Sequence, residues 1–286
     1  MIKCIATDMD GTLLTATQEI TAKNKEAILH AQEKGVEVVI ATGRSYQEAI
    51  FVLQEAGIKC PIICVNGAEV RSEDGKVLSS SPLSKEDARQ AALRLVENGV
   101  YFEVYTNEGT FTEDEDKAIS IITDIFSTAN PEVPVEQIVR AAEERLHKGL
   151  IHKIDHYDLL FEEDQYDIYK LLAFSLDSEK LDAANAALKE IDGLAISSSG
   201  SENIEITSMD AQKGIALGKF VQSRGISLEE TMAIGDNFND VSMLQQVGRP
   251  VAMGNAVEEI KELCGEITLT NEESGVGMAI LTVLKE

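Results

Sequence analysis

The chain has 286 residues, 44% of them hydrophobic and 26% charged, with only 5 prolines; this globular profile excludes a disordered, collagenous or disulfide-scaffold protein and leaves room for one large domain or two ordinary ones. Its 25 lysines and arginines against 50 aspartates and glutamates leave a net charge of −25, a field that repels phosphate backbones and anionic bilayers, so neither nucleic acid nor membrane is an expected partner. A small anionic substrate is compatible with that balance where a metal ion or a few placed cations reverse the field locally.

The opening MIKCIATD lacks the basic segment and long apolar run of a secretory signal, and the late apolar run at 276–284 falls well short of the roughly 20 residues needed to span a bilayer. A cytoplasmic protein is expected, with Cys4, Cys60, Cys64 and Cys264 as buried thiols. From the N-terminus, IKCIAT, VEVVIA and PIICV alternate with helical stretches at 21–34 and 45–56, closed by Gly35 and Gly57. Strands without polar alternation are buried on both faces, which predicts a parallel sheet flanked by helices. The rhythm returns after residue 207 with a helix at 212–224, TMAIG, a helix from about 239, PVAM, another helix, the run ITL and a final helix.

The middle differs. Ser84 caps a helix reaching Asn98, followed by YFEVYT, a turn at 107–109, further helices, KLLAFSL, a helix at 178–191, and the pair LAISSS and NIEIT around a turn at 200–201. Its alternation predicts half-exposed antiparallel strands. This stretch carries 11 basic against 27 acidic residues, net −16, leaving 14 against 23, net −9, for the flanks. The EDED run at 113–116 reads as a solvated helix start. The expected fold class is α/β: a doubly wound parallel-sheet core from 1–83 and 208–286, with an inserted α+β cap at 84–207.

Acids and amides cluster at the predicted strand ends, where α/β folds bind ligands. IKCIAT runs into Asp8-Met9-Asp10-Gly11-Thr12, and TMAI enters Gly235-Asp236-Asn237-Phe238-Asn239-Asp240. VEVVIA ends in Thr42-Gly43-Arg44, a hydroxyl and free N–H groups before a helix, which suits a phosphoryl oxygen. Lys213 opens the helix at 212–224. Each site alone has an ordinary explanation: an acidic turn, an N-cap, a surface lysine. Together they supply carboxylates for a hard cation, a hydroxyl and one positive charge, a set that fits phosphoryl chemistry.

In order, DMDGTLL, ATGR, QKG and GDNFND resemble the motifs of the haloacid dehalogenase superfamily, over the whole chain. The insert between the second and third motifs, with Val65-Asn66-Gly67-Ala68 after the third strand, resembles its Cof-type class IIB members. That resemblance implies a phosphatase in which Asp8 is the nucleophile and Asp10 the general acid and later base. The Met9 backbone N–H, Thr42, Gly43, Lys213 and Asn239 hold the phosphate. Mg²⁺ sits between the Asp8 carboxylate, the Asp10 carbonyl and Asp236, with Asp240 behind, orienting water or Lys213. The implied substrate is a small phosphorylated metabolite, sugar phosphates first. A sugar phosphomutase and a catalytically silent phosphosugar-binding regulator are the rival readings. No oligomeric signal stands out, and a monomer is the expectation.

Other signals weigh less. His147, His152 and His156 lack a fourth zinc ligand at suitable spacing. Arg44 reaches either a distal substrate group or a structural ion pair. Tyr105 and Asn107, beside the turn at 107–109, are candidate cap residues facing the substrate.

Overall fold

A computed structural model describes residues 1–129, 134–198 and 200–285. The chain divides into one unit of Met1–Ser81 with Asp210–Glu286 and a second of Pro82–Met209. Its strands, in chain order, are β1 (Cys4–Thr7), β2 (Glu37–Ala41), β3 (Ile62–Cys64), β4 (Glu69–Arg71) and β5 (Val77–Ser80) in the first unit. In the second they are β6 (Tyr101–Thr106), β7 (Gly109–Thr112), β8 (Ile151–Lys153), β9 (Ile168–Phe174), β10 (Leu194–Ser197) and β11 (Asn203–Ser208). The first unit resumes with β12 (Thr231–Gly235) and β13 (Arg249–Ala252).

The first unit's sheet has the order β13-β12-β1-β2-β3-β4-β5. From β13 to β3 every pairing is parallel. β1 and β12 are buried at every residue, as expected of strands covered on both faces. The chain steps from β1 to β2 and β3 on one side, then returns to place β12 and β13 on the other. The sheet therefore changes direction between β1 and β12, and the carboxyl ends of strands open a crevice at such a switch point.

The connecting helices begin and end where side chains direct them. Thr21 Oγ1 accepts from Asn24 N at 3.2 Å to start helix Ala22–Glu33. Ser45 and Glu48 form a reciprocal capping box before helix Tyr46–Ala56, which stops at left-handed Gly57. The antiparallel pair β4–β5 extends the sheet beyond the predicted pattern. These strands are only 3 and 4 residues long, and β5 is exposed throughout, Val77 and Leu78 included, so they are too short to carry a hydrophobic signal. The run at 267–269 forms no strand: Ile267 makes a single bridge to Ala252.

The second unit's sheet runs β10-β11-β9-β6-β7-β8, antiparallel except between β7 and β8. One face forms its core, where Ala88, Ala91, Ala92 and Leu95 of helix Lys85–Glu97 meet Val104, Leu171, Leu188 and Ile206. That helical spacing places one apolar stripe on the sheet. The prediction of half-exposed strands needs correcting for β6, because Glu103 and Tyr105 are buried too. Their face also carries Lys170, whose ammonium lies 4.5 Å from the Tyr105 ring centroid and 3.9 Å from Glu205. Charge pairing and a ring, as well as water, can satisfy polar groups on such a face. The acidic run starts helix Glu115–Ala129, with Asp114 accepting from Lys117 N at 3.0 Å. Ser199, the end of the predicted strand LAISSS, lies outside the described residues. Among the described residues, no helix is long and apolar enough to cross a membrane.

Candidate active site

β1 and β12 deliver their acids side by side. Asp8 N donates to Ile234 O at 3.0 Å, so the parallel register continues one residue past β1 and brings Asp8 next to the β12 end. The loop Met9–Leu13 then turns at Gly11, φ 75°. A Cβ on Gly11 would stand 2.5 Å from Asp236 Oδ2, so both the left-handed backbone and the contact require glycine. Thr12 Oγ1 donates to Asp236 Oδ1 at 2.7 Å, and Asn255 Nδ2 donates to Gly11 O at 2.7 Å. Both residues act on the site, but the sequence reading gave neither a role. Thr12 lies within DMDGTLL, whereas nothing local marks Asn255.

Lys213, a surface lysine by composition alone, is fully buried. Its Nζ donates to Asp8 Oδ1 at 2.6 Å and Asp240 Oδ1 at 2.7 Å. The glycine that follows explains how: a Cβ on Gly214 would fall 2.0 Å from Ser242 O. Only glycine lets helix Lys213–Ser223 start this close to the segment after Asp240. Asp240 Oδ2 accepts from the backbone N–H groups of Asp236 and Asn237, at 2.9 and 3.2 Å. Both oxygens of Asp240 are thereby committed to fixing the lysine and the β12 turn.

Thr42 is buried, and its Oγ1 accepts from Arg44 N at 3.1 Å. Asn66 N donates to Thr42 O, and Val65 N to Arg44 O, both at 2.9 Å. Val65 and Asn66 hold left-handed φ of 49° and 55°, which costs a non-glycine residue roughly 1–2 kcal/mol. This turn thus braces the loop of Thr42 and Gly43. Met9 is buried in the loop after β1, and Asn239 is half-buried in the turn Phe238–Asp240. Asp10 stands apart from the other acids. Arg44 Nε donates to its Oδ2 at 2.8 Å and Nη2 to its Oδ1 at 2.5 Å, and Nη2 also donates to Gln18 Oε1. Of the two readings for Arg44, the structure shows the ion pair.

Burial raises the Asp8 carboxyl well above its ordinary value, against the pull of Lys213 and with repulsion from Asp240 and Asp236. Asp236 is pushed up to about 7 by burial and then by Asp240, with the Thr12 hydrogen bond opposing. Burial pulls Lys213 down, but Asp240 and Asp8 outweigh it, so the ammonium stays charged. Oxygens of Asp8, Asp236 and Asp240 lie within 4.8 Å of one another. Asp8 and Asp236 each keep one oxygen beyond the bonds just described. Three carboxylates around one lysine leave excess negative charge on hard oxygen donors, which suits a divalent cation.

A family profile described as haloacid dehalogenase-like hydrolase matches residues 5–280. The chain belongs to the haloacid dehalogenase-like hydrolase family. Within that family it is 36% identical over 277 residues to phosphatase YwpJ of Bacillus subtilis, spanning 96% of this chain and 97% of that one. It is equally 36% identical to the 5-amino-6-(5-phospho-D-ribitylamino)uracil phosphatase YwtE of Bacillus subtilis, over 98% and 97%. The solved haloacid dehalogenase-like hydrolase from B. subtilis superposes with a TM-score of 0.89 at 36% identity, covering 98% of this chain and 99% of that one. As a member of this family the chain is a phosphatase of the Cof type.

Other candidates lie elsewhere. His152 is on β8 rather than a helix, with its ring 5.5 Å from Phe111. His147 ends helix Val135–His147 and His156 precedes helix Asp158–Glu162. Among the described residues no group including a histidine could hold a metal. All four cysteines are free and buried, and burial pushes Cys4 and Cys60 up to about 12. Tyr105 lies under Lys170. Asn107 is consumed structurally: its Oδ1 accepts from Asp167 N at 2.7 Å and its Nδ2 donates to Gln165 O at 3.0 Å.

Proposed function

We propose that the chain is a cytoplasmic, Mg²⁺-dependent phosphatase of small phosphorylated metabolites, sugar phosphates foremost, working through an aspartyl-phosphate on Asp8. The observation that carries this reading is the buried Asp8–Lys213–Asp240 line. Asp8 is held in a buried site by a single fixed cation, which Asp240 orients from behind with one oxygen while its other oxygen fixes the β12 turn. Asp8 attacks phosphorus, forming an Oδ–P bond as the P–O bond to the leaving group breaks. Asp10 gives its proton to the departing oxygen and then takes one from the water that hydrolyses the acyl phosphate. The Met9 N–H, Thr42, Gly43, Lys213 and Asn239 hold phosphoryl oxygens.

Mg²⁺ would be held by the carboxylates of Asp8 and Asp236 and the carbonyl of Asp10. When bound it supplies the charge that offsets repulsion between a carboxylate and a phosphate dianion. Relatedness to a phosphatase of a ribitylamino phosphate supports a polyhydroxyl phosphate as substrate. The second unit we read as the cap that selects it, because every motif residue lies outside Pro82–Met209.

The test is hydrolysis of p-nitrophenyl phosphate with Mg²⁺ and with EDTA, by wild type and Asp8→Asn. Turnover is expected only from wild type with Mg²⁺, followed by a screen of phosphorylated metabolites. Activity of Asp8→Asn within about tenfold of wild type would remove the nucleophile from the reading.

A further inference from the structure

Asp10 is half-exposed at its side chain, 47%, and two freely turning bonds separate its carboxyl group from the backbone. An acid that must meet a leaving oxygen in one orientation gains little from such freedom. The structure removes it. The side-on pair from Arg44, Nε to Oδ2 and Nη2 to Oδ1, makes the guanidinium and carboxylate planes share one geometry.

Arg44 is itself held from two directions. Its backbone N–H is fixed on Thr42 Oγ1 and its carbonyl on Val65 N, while its Nη2 also donates to Gln18. Gln18 sits in the turn closed by the Leu14–Ile20 bridge, at φ 65°. Glycine is the residue that takes that backbone without cost, so Gln18 holds a strained conformation while its side chain reaches the arginine.

We propose that Arg44, braced by Gln18, is the positioning residue that aims the Asp10 carboxyl group for proton transfer to the leaving oxygen. The proposal rests on the acid–base role given to Asp10 above. In the first half-reaction the P–O bond breaks and the Asp10 proton moves to the departing oxygen. The carboxylate left behind meets a guanidinium that stays charged throughout and is already in place. In the second half-reaction the same carboxylate takes a proton from water with its orientation unchanged.

The experiment measures kcat/KM, which reports steps up to leaving-group departure, for β-glycerophosphate and p-nitrophenyl phosphate. The proteins are wild type, Asp10→Asn, Arg44→Ala and Gln18→Ala, each with Mg²⁺. The alkoxide needs a proton and the nitrophenolate hardly does. Arg44→Ala is expected to lose about 100-fold on β-glycerophosphate and under about tenfold on p-nitrophenyl phosphate. Guanidinium chloride at about 50 mM is expected to restore mainly the first activity, and Gln18→Ala to shift the ratio the same way by roughly threefold. Equal losses on both substrates, a gain on β-glycerophosphate, or no rescue by guanidinium overturns the proposal. Should Arg44→Ala not fold, the ratio for Gln18→Ala decides, and an unchanged ratio overturns it. Equal losses in Asp10→Asn remove the acid role itself and the proposal with it. A selective loss in Asp10→Asn without one in Arg44→Ala removes the proposal alone.

Discussion

Lys213 is the residue on which both of its neighbours depend. With methionine in its place, Asp8 and Asp240 would share a dry site without a counter-charge, and breaking a buried pair this way costs about 3–5 kcal/mol. Lys213→Met is therefore expected to lower the melting temperature clearly and to reduce p-nitrophenyl phosphate turnover by at least about 100-fold. Normal melting with normal turnover would contradict that. Protonation makes a second prediction at this scale. In metal-free protein Asp236 rises to about 7 and Asp8 also lies high, mainly through burial. Folding thus takes up protons, and this contribution is complete below the ordinary carboxylate value and lost as pH rises through about 7. A divalent cation replaces the lost protons. Thermal melts with Mg²⁺ or EDTA should show a larger Mg²⁺-dependent shift at pH 8 than at pH 5, and the reverse order would contradict the assignment. None of this was visible in QKG alone, since a lysine shows its burial only through partners far along the chain.

The loops at the strand ends were more legible than the side chains they carry. β1, β2, β3 and β12 announced themselves because a strand buried on both faces is a short unbroken apolar run, and Ser45 and Gly57 marked a helix at both ends. β4 and β5 were invisible because they pair at a sheet edge, where polar residues serve as well as apolar ones. The burial of Glu103 was missed because alternation reports which residues differ between two faces, not whether the polar face meets water. The motif acids were found, but the clamp of Arg44 on Asp10 was not, since nothing in ATGR says which way the guanidinium turns. The loop Met9–Leu13 yields a prediction of its own. Gly11→Ala adds a methyl group 2.5 Å from Asp236 Oδ2 at a φ of 75°, so it should displace that carboxylate. A rise of roughly tenfold or more in the half-saturating Mg²⁺ concentration is expected, measured by titrating activity. An unchanged Mg²⁺ requirement would show that Asp236 does not hold the ion.

At the scale of the whole molecule, each unit has its own sheet, and the second has its own apolar core. Replacing Pro82–Met209 by a short Gly/Ser linker is therefore expected to leave the catalytic residues in place and p-nitrophenyl phosphate turnover within about tenfold, while selectivity among metabolites collapses. Selectivity that survives in a folded deletion variant would place substrate choice in the first unit instead.

The insertion also has a consequence for how the chain is made. Asp8 and Lys213 stand 205 positions apart, and β1 takes one of its two neighbours, β12, from beyond the insert. During synthesis the first 81 residues emerge with that flank of β1 unpaired, and the sheet can close only after a complete second unit has followed. If that unit folds first, it shortens the loop to be closed, which as an open chain of this length would cost about 5 kcal/mol. Until then Asp8 sits beside an open strand edge, the kind of surface through which nascent chains pair with one another. A ribosome stalled before residue 213 holds a chain with Asp8 in place, no lysine to balance it and an edge free to find the wrong partner.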